Sequence, residues 1–170
     1  MPRQTLLRLA VGAAALGLLA GCSVEDRTPT GSRQDEDAAR AVVAEYYRMT
    51  SAQDWPAVRA TLWDSATVAV RPAPGAEWYS FGAPDPFVKH LGRSLRGLAP
   101  GELGPRLIRT DFRQADGLVS LWVTTRLEQP QGGAAVEVEH IDHFVLRRFA
   151  GGAWRIVHLV SVPGGAGARQ

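Results

Sequence analysis

The octapeptide "EVEHIDHF", residues 137 to 144, is the richest concentration of titratable side chains suited to chemistry in this 170-residue chain. Its pattern predicts a strand, and a strand sorts side chains by parity. His140, Asp142, Phe144 and Leu146 then share one face with Val136 and Val138. Ile141, His143 and Val145 share the other with Glu137, Glu139 and Arg147. The first set is the more apolar and is expected to face inward. Two residues of strand rise place His140 and Asp142 about 6–7 Å apart on one wall. A carboxylate in a poorly hydrated pocket has a raised pKa and can take a proton from a substrate carbon. An imidazole beside it can relay or donate that proton. The structural alternative is that Asp142 binds Arg147, Arg126 or a backbone amide, with the histidines as half-buried polar residues.

His158 joins this group only in one register. A three-residue loop at "AGG" puts Phe144 opposite His158 and shares the His140/Asp142 face with it. A two-residue loop puts Val145 opposite it, with His143 on its face. A metal set of His140, Asp142 and His158, or of His143 and His158, hangs on that slip. No short-spaced His or Cys motif supports zinc, so no metal and no cofactor is expected. Phosphate loops, nucleophile elbows and Cys–His arrangements are absent from the sequence.

Aromatic residues are the second signal. Tyr46, Tyr79, Trp122 and Phe144 are candidates for lining an apolar pocket with polar tips; ordinary core packing competes for each. The arginines of the later strands are placed to pair with Glu128, Glu137 and Glu139 across strands, on a solvated face or a dimer surface. There is no basic run with interleaved aromatics, which argues against a nucleic-acid surface.

The elements that must position these residues emerge from periodicity. Asp35 is the expected cap of a first helix carrying Ala39, Val42, Val43, Tyr46 and Met49 at helical spacing. Asp54 caps a short second helix with Pro56 in its first turn. "TVAVR" (67 to 71) alternates as a strand, a short strand is expected at Trp78 to Phe81, and Asp85-Pro86 opens a third helix. From residue 106 the period changes to two. Strands are expected over 106–113, 118–128, 134–149 and 154–162, joined by tight turns. Helices succeeded by an antiparallel meander make an α+β fold.

The N-terminus has a different character. Arg3 and Arg8 flank an apolar run from Leu9 to Leu19, too short to span a bilayer, which needs about 20 residues, and suited to a secretory signal. Without Arg3 and Arg8, 17 basic residues face 17 acids, so the formal charge is zero. Leu19-Ala20-Gly21-Cys22 resembles the lipobox of bacterial lipoprotein signals. The resemblance implies that Cys22, the only cysteine, carries diacylglycerol and becomes the new N-terminus. It explains a thiol with no partner and implies a lipid-anchored protein facing the extracytoplasmic side of the cell membrane or outer membrane.

The expected organisation is signal peptide 1–21, flexible tether 22–34, one domain over 35–162 and a disordered tail 163–170. The order helix, helix, strand, loop, helix and then long strands resembles the nuclear transport factor 2-like superfamily, which includes ketosteroid isomerases and SnoaL-type cyclases. "AARAVVAEYYRMTSAQDWPAVRATLWDSATV" and "IDHFVLRRFAGGAWRIVHLVSV" carry the likeness. It implies helices packed on a curved sheet around a cone-like pocket, and it transfers no catalytic residue. Binding of a small apolar ligand or an envelope partner is the expected role. An isomerase, dehydratase or cyclase using Asp142 as base with His140 or His158 is the alternative, and a homodimer through the sheet fits either.

Overall fold

The computed structural model describes residues 32–131 and 134–164. The signal segment, Cys22, residues 22–31 of the tether and residues 165–170 of the tail lie outside the described residues. Helix α1 (Arg33–Ala52) takes in the last two residues of the expected tether. Its cap is Ser32, whose Oγ accepts the Asp35 amide at 3.1 Å. Asp35 was the expected cap, but its carboxylate is drawn into the first turn by Arg148, 2.9 Å away on the sheet. The helix stops at Gln53, the one non-glycine residue with positive φ (57°) among those described.

Asp54 caps α2 (Trp55–Thr61) by accepting the Ala57 amide at 3.1 Å. Strand β1 (Leu62–Val70) starts directly after it, five residues earlier than alternation suggests. Then come β2 (Tyr79–Phe81), α3 (Pro84–Ser94), β3 (Arg106–Ala115), β4 (Leu118–Gln131), β5 (Ala134–Arg148) and β6 (Trp154–Pro163). The sheet order is β2-β1-β6-β5-β4-β3. Strands β3 to β6 form the expected antiparallel meander. Strand β1 adds to β6 in parallel, which no tight turn could have signalled.

The inner face packs on the helices. Ala39, Val43 and Tyr46 of α1 meet Val119, Leu121 and Val123 of β4, Phe144 and Leu146 of β5, and Ile156 and Leu159 of β6. That set contains residues of both odd and even number on β6, because the strand is bulged. Arg148 faces Trp154 and Leu146 faces Ile156, the register of a three-residue loop. Val157 is then left over, and Val145 faces His158. A bulge adds one residue to one strand and reverses the parity of the residues beyond it. Before it, Trp154 and Ile156 point inward; after it, Leu159 and Ser161 take the paired inward positions.

Phe144 is fully buried and touches both tyrosines of α1. Phe144→Ala should lower the unfolding free energy by about 3–5 kcal/mol, measured by urea denaturation.

Candidate functional site

The inner wall of β5 carries Asp142 between Val123 of β4 and Ser161 of β6. Asp142 is 7% exposed. Tyr47 O–H donates to its Oδ2 at 2.5 Å from across the cone. Tyr46, Tyr47 and Phe144 close a triangle of edge-on rings with centroids 5.5–5.7 Å apart. Such geometry sets the positive edge of one ring against the negative face of the next. Asp142 therefore sits where an aromatic wall meets a small polar group. His140, half-buried, lies farther along the same face, opposite Thr125.

Burial dominates the electrostatics. Loss of hydration pushes the Asp142 carboxyl above its ordinary value; hydrogen bonds from Ser161 and Tyr47 and the field of His140 pull it back only in part. The same burial, reinforced by the negative field of Asp142, pushes the Tyr46 and Tyr47 hydroxyls far above the usual phenol range. The phenol stays a donor and the carboxyl stays poised to hold a proton. The couple can hold a ligand's polar atom, or exchange a proton with it.

The structure brings together Asp142, His140, Tyr46 and Phe144 of the residues singled out by sequence. It separates three others. His158 lies on the outer face beside His143, because the Val157 bulge undoes the register that the hairpin loop sets up. It cannot assist Asp142, and the metal set of His140, Asp142 and His158 is not assembled. Among the described residues, no group of three or more His, Cys, Asp or Glu is placed to hold a metal ion. Trp122 faces outward, 47% exposed, because it is paired with His143, whose parity is opposite to that of Asp142. Tyr79 lies on the three-residue edge strand, 48% exposed, against the ring of His90 at 4.8 Å.

Tyr47 and Ser161 are the partners that sequence reasoning missed. Tyr47 comes one helical turn after Val43, at the margin of the apolar stripe, and that spacing was the available signal. Ser161 has no such signal, since an unbulged strand would have aimed it outward. Neither Arg147 nor Arg126 binds Asp142. Arg147 lies over the Phe149 ring, and Arg126 pairs with Glu137 and Glu139 at 3.4 and 2.8 Å.

Three hollows with described linings lie elsewhere. One, of about 550 Å³, runs between α1 and α2 over Trp154; one, of about 680 Å³, lies beside Trp63 and Phe149; a third, of about 300 Å³, adjoins Arg106 and Arg126. Asp142 lines none of these three. No described helix is long and apolar enough to cross a membrane.

No protein-family model matches the chain, and no curated protein matches it. Solved structures do. An NTF2-like protein with a cystatin-like fold from Novosphingobium aromaticivorans superposes with a TM-score of 0.64 at 15% identity, covering 79% of this chain and 85% of its own. A ketosteroid isomerase-like protein from Erwinia carotovora atroseptica gives 0.59 at 15% identity, over 78% and 98%. The CaMKII hub of S. rosetta gives 0.61 at 12% identity, over 75% and 95%. At such identities the likeness shows the fold: the NTF2-like, cystatin-like cone of helices on a curved sheet.

Because the folded chain holds the Asp142 proton above the ordinary carboxyl value of 3.8, wild-type stability falls as pH rises from that value through the raised one. Asp142→Asn removes this cost. It should melt higher than wild type at pH 8, with the gap closing toward pH 4 in thermal scans. A variant that melts lower at pH 8 would mean that the Tyr47 and Ser161 bonds outweigh burial. Tyr47→Phe should cost about 1–3 kcal/mol, the usual penalty for stripping a donor from a buried acceptor.

Proposed function

We propose that this chain is a lipid-anchored protein of the cell envelope whose NTF2-like domain binds a small apolar ligand without transforming it. The observation that carries the reading is the engaged state of Asp142. Its Oδ2 already accepts the Tyr47 hydroxyl at 2.5 Å, within a wall of Tyr46 and Phe144. One polar spot in an apolar surrounding is what orients an otherwise greasy ligand; the ligand must open its own space there, because Asp142 lines none of the three described hollows. A general base, by contrast, must come within hydrogen-bond reach of the substrate proton through its remaining oxygen, and Asp142 is only 7% exposed.

Catalysis remains the second reading, favoured by the upward push on Asp142. It retains Asp142 as base and His140 as its neighbour, and it loses His158. The same cone is found in a ketosteroid isomerase-like protein and in a CaMKII hub. Fold alone does not choose between them.

The anchor rests on the Leu19-Ala20-Gly21-Cys22 lipobox. Two acyl chains hold a protein stably at a bilayer where one is marginal. A tether of roughly a dozen residues would keep the domain within about 20 Å of that surface. We also propose that the domain pairs with a second copy through the outer face of its sheet, where Trp122 stands half exposed.

Native mass spectrometry of the chain from Ser23 onward should show a retained small apolar mass, and Asp142→Asn should keep it within a few-fold in affinity. Under the catalytic reading the same substitution would abolish turnover of that compound by about a hundredfold or more. A bare protein that releases nothing on denaturation would sink the ligand reading. Separately, Cys22→Ser should abolish incorporation of labelled palmitate and move the protein from the membrane to the soluble fraction. Membrane-bound, labelled Cys22→Ser protein would overturn the anchor.

A further inference from the structure

The outer face of the sheet holds a cluster that the ligand site does not use. Ser120, Trp122 and Thr124 of β4 face Val145, His143 and Ile141 of β5. Those face His158, Val160 and Val162 of β6. This array of nine contains no Asp, Glu, Lys or Arg, and its only titratable groups are the two histidines. His143 stacks on Trp122, with centroids 4.0 Å apart and planes 14° apart, and a 2.7 Å hydrogen bond joins its Nε2 to Ser120 Oγ. A second 2.7 Å bond joins His158 Nδ1 to Thr67 Oγ1 of β1.

Charge is confined to the rim. Arg109, Asp111 and Arg113 of β3 flank β4, and Arg109 and Asp111 pair with each other at 3.0 Å. Arg147 stands at one end of the array, next to Leu118, which is 45% exposed. Arg126, Glu137 and Glu139 stand at the other, where two carboxylates share one guanidinium and Arg106 lies across from it. Arg71 comes directly after β1 at the far edge. An uncharged centre with an exposed tryptophan and a charged rim has the anatomy of a protein contact. The two ends suit a second copy. A two-fold axis in the plane of the sheet and across the strands lays β4 antiparallel on β4. It sets Arg147 of each copy over the Glu137–Glu139 end of the other, as an isologous contact requires.

Resting on the sheet-to-sheet pairing proposed above, we infer that this contact is a two-fold, antiparallel one that closes only while His143 and His158 are neutral. From β4 His143 meets Trp122 and Ser120, from β6 it meets Val160 and His158, and along β5 it meets Ile141 and Val145. His158 meets Val145 from β5, Thr67 from β1 and Val160 along β6, with Arg155 three positions before it; none of these offers a carboxylate to either ring. The nearest on β3, Asp111, lies beyond Trp122 and is already paired with Arg109. Protonation would trap imidazolium groups from both copies in an uncharged centre without counter-ions. Burial and the neighbouring His158 already push His143 below its ordinary 6.5 in a single chain. Covering the face pushes further the same way, so the pair binds fewer protons than two separate chains. Association must then weaken as pH falls through the histidine range.

Sedimentation equilibrium of the chain from Ser23, which keeps every described element, tests this at pH 8 and pH 5.5. A dimer at pH 8 is expected, with a dissociation constant about tenfold or more higher at pH 5.5. The double variant His143→Gln, His158→Gln should stay dimeric at both. Trp122→Glu should be monomeric at both while melting near wild type, which separates loss of contact from loss of fold. Equal dimerisation at both pH values would overturn the histidine gate and leave the pairing standing. A monomer at pH 8 and 0.1 mM or so, well above typical contact affinities, would overturn the pairing itself. Unchanged pH dependence in the double variant would also overturn the gate.

Discussion

Strand β6 has to satisfy two alternations at once, and the extra residue at Val157 reconciles them. Near the hairpin, Trp154 and Ile156 must point inward, because both are large and almost fully buried. Farther along, the apolar residue that reaches the core is Leu159, three positions after Ile156 rather than two. A strictly alternating strand would have turned His158 inward and Leu159 outward. The bulge costs one ladder position and some regularity. In exchange the core gains a leucine instead of an imidazole. Where burial of a leucine side chain contributes about 1.5–3 kcal/mol and an unpartnered polar group costs a similar amount, the bulged register wins clearly.

The consequences run in both directions from that residue. Inward, Ser161 becomes the residue opposite Asp142, so a buried carboxyl gains a hydroxyl where a valine would otherwise lie. Outward, His158 arrives beside Val145 and near His143. Burial of Asp142 is therefore tolerated through two hydroxyls and a neighbouring imidazole rather than through an arginine. Hydroxyl partners satisfy the carboxyl without neutralising it, which is why its proton affinity stays raised. An arginine in the same place would have fixed it as a plain carboxylate.

Much of this was legible in the sequence, and the rest failed for identifiable reasons. Helix α2 with its Asp54 cap, the third helix and all four long strands fall within a few residues of where periodicity puts them. The parity of β5 was readable as well, since Phe144 and Leu146 outweigh Ile141 and Val145 in the company they keep with Val136 and Val138. Trp122 was misplaced by composition: a large aromatic in mid-sheet suggests a pocket, yet its neighbours Leu121 and Val123 are the ones fully buried. Alternation alone, applied to Val119, Leu121 and Val123, would have put it outside. The partner of Asp142 was hidden because it comes from α1, 95 residues away, and no local pattern encodes that distance. The Val157 bulge was hidden because a single extra residue leaves no periodic trace.

The two faces of β5 show how little of the cone's chemistry the fold prescribes. The curved sheet needs only that Phe144, Leu146 and their neighbours fill the space under α1. Any side chain that fits meets that need, which is how structures at 12–15% identity share the architecture. At the level of Asp142 the requirement changes from volume to satisfaction of a carboxyl, and three specific groups, Tyr47, Ser161 and His140, meet it. One residue along the strand, at His143, the setting changes again: an imidazole stacked on Trp122 lies in an uncharged array and is pushed toward its neutral form. Strand alternation keeps these two protonic groups on opposite sides of one backbone, with opposite preferences. Asp142 is held toward its protonated, neutral form and His143 toward its deprotonated, neutral form. Each face of the strand is thus pushed toward its uncharged form, and each keeps a polar group that can respond when its surroundings change.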